Sequence, residues 1–216
     1  LPLNCPSVTY KEMKTLESLH KSLSKCQKCP DMCGRAVFAP PLKTKLMLVG
    51  QAPGIHEEVL GRPFAHTAGK TLFKWFNESL SATEEEVREL IYFTAVARCF
   101  PGKSKSGKGD RPPNKKEIAN CSPHLESEIK LIKPDVIIAV GKIAISELLK
   151  DEGIKAAESL DNLVGKTFEA KIFGRTIQVI PLPHPSGVSR WPHTEIGKAR
   201  LQEALGEIRK TSTTLL

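Results

Sequence analysis

The chain reads as a three-layer α/β/α domain around a central, mainly parallel sheet. Three observations predict this: short, wholly apolar runs suited to buried parallel strands, helical periodicity between them, and small-residue loops where the strands end. Alternation of this kind is the pattern of an α/β sheet covered on both faces. With 216 residues the chain is expected to form one domain over residues 1–216, with an N-terminal helix and loop attached.

The elements follow in order. Apolar positions at Val8, Met13, Leu16, Leu19 and Leu23 predict a helix over 7–25 that delivers Cys26 and Cys29. Leu46–Val49 predicts a buried strand, ended by the turn Gly50-Gln51-Ala52-Pro53-Gly54. Leu72, Phe73, Phe76 and Leu80 share one face of a helix over 69–80. Thr83 is a plausible cap for a helix over 84–90. A second strand is expected over 91–97, then a long basic loop over 101–114 rich in Gly, Lys, Ser and Pro. A helix over 117–132 leads to a third strand, 136–140, and Ala144 opens another helix. Strands at 168–173 and 177–181 flank a turn at Gly174, a helix over 196–208 follows, and the tail after Arg209 is expected to fray. In such sheets ligands sit at the carboxyl ends of the strands. The Gly50–Gly54 turn, the loop after Ala97, Gly141 and His184 all follow predicted strands and can converge there.

Composition narrows the partners. Lys and Arg total 32 against 24 acids, a net charge of +8, which favours a polyanion because phosphate contacts release counterions. No apolar run approaches the ~20 residues that span a bilayer, and the opening residues lack a signal-peptide pattern. Six cysteines at this length, without a secretion signal, read as thiols or metal ligands in a reducing, cytoplasmic setting. Cys26 and Cys29 form C-Q-K-C, Cys99 sits in R-C-F-P, and Cys121 sits in N-C-S-P, the last two at expected element borders. Soft thiolates suit an iron–sulfur cluster or a four-cysteine zinc site. Cys33 is the rival ligand, and Cys5 has no evident partner.

G-Q-A-P-G, G-R-P-F-A-H-T-A-G-K, A-R-C-F-P-G, C-S-P-H-L and H-P-S-G, in that order, resemble the uracil-DNA glycosylase superfamily. They are most similar to its iron–sulfur branch, over about residues 26–190. The resemblance implies that Cys26, Cys29, Cys99 and Cys121 hold a structural [4Fe–4S] cluster. It implies DNA with a damaged base as partner, a nucleotide flipped out of the stack, and hydrolysis of its glycosidic bond; no Lys is placed as a Schiff-base nucleophile, so strand cleavage is not expected. A monomer is expected.

The resemblance also implies roles for residues. Gln51, Ala52, Pro53 and Gly54 would lie against the sugar, Phe64 would stack on the base, and His184 would face the base O2. His66 and Ser186 are expected to line the same pocket. Val188, Ser189 and Arg190 would approach the DNA, as would Lys103, Lys105, Lys108 and Arg111 of the basic loop.

Two departures stand out. The turn has Gln51 and Ala52 where branches of the family carry an acid. An amide can orient water but cannot take its proton, so Gln51 is left an orienting role and Glu57 and Glu58 become candidates for water activation or sugar-cation stabilisation. Ala95 stands where the family often has a base-reading asparagine, which opens the choice between uracil and another base such as hypoxanthine. No histidine occurs in 101–116, which argues against covalent trapping on DNA. The alternative is a non-catalytic iron–sulfur DNA-binding or damage-sensing protein.

Overall fold

A computed structural model describes residues 15–107, 109–155, 157–187 and 189–215. Eight α-helices and five strands are found among them. The sheet has the order β2-β1-β3-β5-β4, with β1 Leu46–Gly50, β2 Ile91–Ala95, β3 Val136–Val140, β4 Phe168–Ile172 and β5 Arg175–Leu182. Every neighbouring pair is parallel except β4 with β5. Every residue of β1, β2 and β3 is buried, as both faces of a parallel sheet demand. β4 is an edge strand whose exposure alternates. Its hairpin to β5 turns through Phe173 (φ 47°) and Gly174 (φ 81°), the two left-handed residues of a tight turn whose twist matches the strands.

The helices are α1 Leu16–Leu23, α2 Glu57–Leu60, α3 Thr67–Leu80, α4 Glu84–Leu90, α5 Lys115–Ile132, α6 Lys142–Leu148, α7 Leu160–Leu163 and α8 Glu195–Leu215. α1 packs on α5, while α3 packs on α4 and α8, and α7 on α8. The core runs through Leu46–Val49, Phe73, Phe76, Phe93, Ile129, Ile137, Ile138 and Ile180, all nearly inaccessible to water.

Capping sets several starts. Thr83 accepts from the Glu86 amide while Glu86 reaches back to the Thr83 amide, so α4 begins at Glu84 as expected. Asn114 and Glu117 form the same reciprocal pair, and α5 therefore starts at Lys115, two residues earlier than the apolar pattern suggested. That start places Cys121 well inside α5 rather than at an element border. Part of the expected first helix, 7–14, lies outside the described residues, as does Cys5. The last helix does not fray at Arg209 but continues to Leu215, with Ser212, Thr213 and Thr214 returning hydroxyls to carbonyls one turn back. Among the described residues no helix is long and apolar enough to cross a membrane.

Candidate active site and thiol cavity

The chain leaves β1 for β2 on one side and later places β3 on the other, so a crevice opens where the carboxyl ends of β1 and β3 diverge. A cavity of 680 Å³ occupies that position. The structure brings Gln51, Ala52, Pro53, Gly54, Glu57, Phe64, His66, Ala95, Lys103, Arg111, His184 and Ser186 to its wall.

Phe64 is held in an unusual way. Its φ is 53°, a left-handed conformation that costs a bulky residue energy and persists only when neighbours enforce it. Three groups do so. The Glu57 carboxylate faces the amides of Phe64 and Ala65, which favour its ionised form. The Arg88 guanidinium donates to the carbonyls of Pro63 (3.1 Å) and Phe64 (3.1 Å). Arg88 itself lies over the rings of Phe73 and Phe93. The Phe64 ring meets Phe93 edge-on at 6.1 Å. It also lies over Gly50, where a β-carbon would stand 2.8 Å from it, so only glycine at the end of β1 admits the ring. Arg88 carries no motif in the sequence, and its role depends on the fold.

The two candidate acids separate. Glu57 is 7% exposed, lines the cavity, and also accepts from the Gly54 amide at 3.2 Å. Burial pushes its pKa up to about 6 against those hydrogen bonds. Glu58 is not on the cavity wall: its carboxylate lies where a β-carbon on Gly34 would be. α2 turns the two consecutive side chains in different directions, and its four residues are too few for a periodic signal in the sequence.

His184 sits at the end of β5 between two buried prolines. Its ring packs on Gly141, whose φ of 86° follows β3 and whose missing side chain makes room, with His184 Cδ2 only 3.2 Å from a would-be β-carbon. The Ser186 amide donates to His184 Nδ1 at 3.2 Å, which leaves the proton of a neutral ring on Nε2. Burial lowers the His184 pKa, opposed by the charge of Asp110, so the neutral donor form is favoured.

At the end of β2, Ala95 offers only a methyl group and its backbone. The hydroxyl of Thr94 donates to Glu128 at 2.7 Å and is therefore committed inside the protein. His66 stands at the mouth, its ring 4.3 Å from that of His56.

The basic loop divides as well. Lys103 bonds Asp110 at 2.7 Å at the cavity wall. Arg111 forks onto Glu117 at 2.8 and 2.6 Å and donates to the Asp31 carbonyl at 3.1 Å, so it anchors the loop. That pairing raises the Arg111 pKa and holds the Glu117 carboxyl below its ordinary value. Lys105, Ser189 and Arg190 are not on the cavity wall; Lys105 and Arg190 are exposed and Ser189 half-buried. Lys108 and Val188 lie outside the described residues.

Cys26, Cys29, Cys99 and Cys121 line a second cavity, of 220 Å³. Cys33 does not; it is exposed, and its amide pairs with the Phe100 carbonyl at 2.8 Å. Burial, then the neighbouring thiols, push the Cys99 pKa up to about 12. Asn120 donates to Cys29 Sγ at 3.4 Å. Arg98, 1% exposed, reaches the same cavity. Its Nη2 pairs with Glu128, while its Nε and Nη1 are buried with no hydrogen-bond partner. Glu128 further accepts from Tyr92 at 3.0 Å, and Tyr92 meets His20 at 3.0 Å. This buried cluster ties α1, β2 and α5 together between the two cavities.

A doubly covered parallel sheet with this cavity at its switch point defines a class: a sequence profile of the Uracil DNA glycosylase superfamily matches residues 37–209, and the chain belongs to that family. Within it the chain is similar to the Type-4 uracil-DNA glycosylase of Saccharolobus solfataricus, 34% identical over 177 residues, which covers 81% of this chain and 77% of the relative. It is equally similar to the Type-4 uracil-DNA glycosylase of Pyrobaculum aerophilum, 34% identical over 180 residues, with 82% and 86% covered. A Type-5 uracil-DNA glycosylase of the latter organism is 31% identical over 137 residues, 57% of each chain.

Proposed function

We propose that the chain is a monofunctional uracil-DNA glycosylase of base excision repair. It hydrolyses the N-glycosidic bond of a uracil flipped out of DNA and leaves an abasic site. The reading is carried by one observation: a pinned aromatic wall, Phe64, and a neutral histidine donor, His184, share a cavity at the strand ends.

The chemistry follows from these residues. The flipped base stacks on Phe64. As the C1′–N1 bond breaks, electrons accumulate on the base, and the Nε2 proton of His184 is the donor for O2. A preorganised donor of this kind typically contributes about 10²–10³-fold. Gln51 orients water by hydrogen bonding, and the backbone of Ala52, Pro53 and Gly54 faces the sugar. Glu57 acts by position: its carboxylate accepts from the Gly54 amide and faces the amides of Phe64 and Ala65. His66 and Ser186 border the base. Lys103, Lys105, Lys108, Arg190 and their neighbours 188–189 approach the phosphates, and Arg111 holds their loop in place. The domain acts as a single unit and as a monomer, in a reducing compartment such as the cytoplasm.

The thiol cavity fits a [4Fe–4S] cluster held by Cys26, Cys29, Cys99 and Cys121. Four soft donors surround one void beside unpartnered buried N–H groups of Arg98, a setting for an anionic group. When bound, the cluster would supply thiolate–iron bonds that join the end of α1, the loop after β2 and α5.

The experiment is base release from oligonucleotides carrying uracil, hypoxanthine or xanthine, scored by alkali. Release from uracil is expected. Because Ala95 and Thr94 offer no amide side chain to read the base, release from hypoxanthine alone would move the substrate and keep the reaction. Release from none would favour the non-catalytic binder.

A further inference from the structure

The turn after β1 carries no acid, yet a carboxylate faces it from elsewhere. Glu57 and Asp110 are the two carboxylates among the described residues of the cavity wall. Glu57 is buried, accepts from the Gly54 amide at 3.2 Å, and faces the amides of Phe64 and Ala65. Asp110 is not so occupied. Its Oδ1 holds Lys103 Nζ at 2.7 Å, and its Oδ2 lies 3.6 Å from where a β-carbon on Gly54 would stand. The side chain is 35% exposed, so water reaches it. Asp110 also lies close enough to His184 for its charge to act on that ring.

The loop is built to hold this position. The amide of Ser104 donates to the Gly109 carbonyl at 3.1 Å and that of Arg111 to the Gly102 carbonyl at 2.9 Å. Lys103 and Asp110 pair as an antiparallel bridge between them. Arg111, the next residue, is forked onto Glu117 at the start of α5. Asp110 is thus fixed from both sides, with one oxygen spent on Lys103 and the other turned to the cleft.

We propose that Asp110 is the catalytic base of this enzyme, standing in from the basic loop for the acid missing at Gln51 and Ala52. The inference rests on the glycosylase reading above. The C1′–N1 bond breaks and its electron pair leaves with the base, which His184 steadies at O2. A water oxygen bonds to C1′, and the proton it sheds goes to Oδ2 of Asp110. That proton passes to solvent, the departing base takes one up, and the sum is nucleotide plus water giving abasic sugar plus free base. Lys103 keeps the carboxylate in place throughout.

The test is single-turnover base release at saturating protein on a uracil oligonucleotide, with affinity measured on an analogue whose 2′-fluorinated nucleotide resists hydrolysis. Asp110→Asn should release base about 100-fold more slowly or worse, with affinity within about threefold of the parent. Asp110→Ala in concentrated formate should recover at least about tenfold, because a free carboxylate can enter the space left by the side chain. An Asn variant as fast as the parent would overturn the proposal. So would a rate loss matched by lost affinity, or an Ala variant indifferent to formate. Should the parent release no base at all, the glycosylase reading itself falls, and this inference with it; parent activity with an unaffected Asp110→Asn removes only the inference.

Discussion

At Glu57 burial and hydrogen bonding oppose each other, and burial wins. The pKa rises from an ordinary 4.5 to about 6. The folded state therefore holds the proton more tightly than the unfolded chain. Stability from this group falls as pH rises from about 4.5 to about 6 and stays reduced above, by about 2 kcal/mol. Calorimetry should show that component in the parent and its absence in Glu57→Gln. In the same pH window, base release should decline as pH falls, because the protonated carboxyl accepts fewer amides around Phe64. His184→Ala should slow release about 10²–10³-fold while binding persists, read by single-turnover kinetics beside a binding assay. That His184 and the turn residues meet at one cavity was legible because their short motifs stand at strand ends, whereas Phe64, between α2 and α3, was placed there by the resemblance. The division of labour between Glu57 and Glu58 was not, since it depends on which way a four-residue helix points. Arg88 and Asp110 were invisible for a related reason: each acts on residues distant in sequence.

At the scale of elements, glycines at strand ends decide where the working side chains lie. Gly141 closes β3 with φ 86° and touches His184. Gly141→Ala should cost about 1–2 kcal/mol in backbone strain and displace the imidazole, slowing base release about 10- to 100-fold. Melting curves and single-turnover rates would check both. The helix starts were readable wherever a capping residue preceded a periodic run, as at Thr83. α5 escaped by two residues because Lys115 and Lys116 carry no apolar signal; the pair Asn114 and Glu117 was the available cue. The tail was misjudged for a similar reason. Its Ser and Thr residues are weak helix formers, yet their hydroxyls bond back along α8 and Ser212 is buried.

For the whole molecule, the excess of positive charge implies salt-sensitive binding. Lys105→Ala should reduce the slope of log affinity against log salt by about 0.7 on single strands or 0.9 on duplex, if that lysine meets one phosphate. Titrations at several ionic strengths would measure it. On the cluster reading proposed above, Cys99→Ser should abolish absorbance near ~400 nm and lower the melting temperature, because three segments would lose a common tether. The layered fold was legible from the alternation of apolar runs and helices. The buried cluster around Glu128 was not, since a lone acid in the middle of a helix reads as solvated until its neighbours in space are known. Cys121 and Glu128 lie on one helix, seven positions and therefore about two turns apart, on a shared face. Loss of the proposed cluster from Cys121 would therefore loosen the same helix face that holds Glu128, the acceptor for the hydroxyls of Tyr92 and Thr94, so emptying the thiol cavity and slackening β2 should appear as one cooperative event.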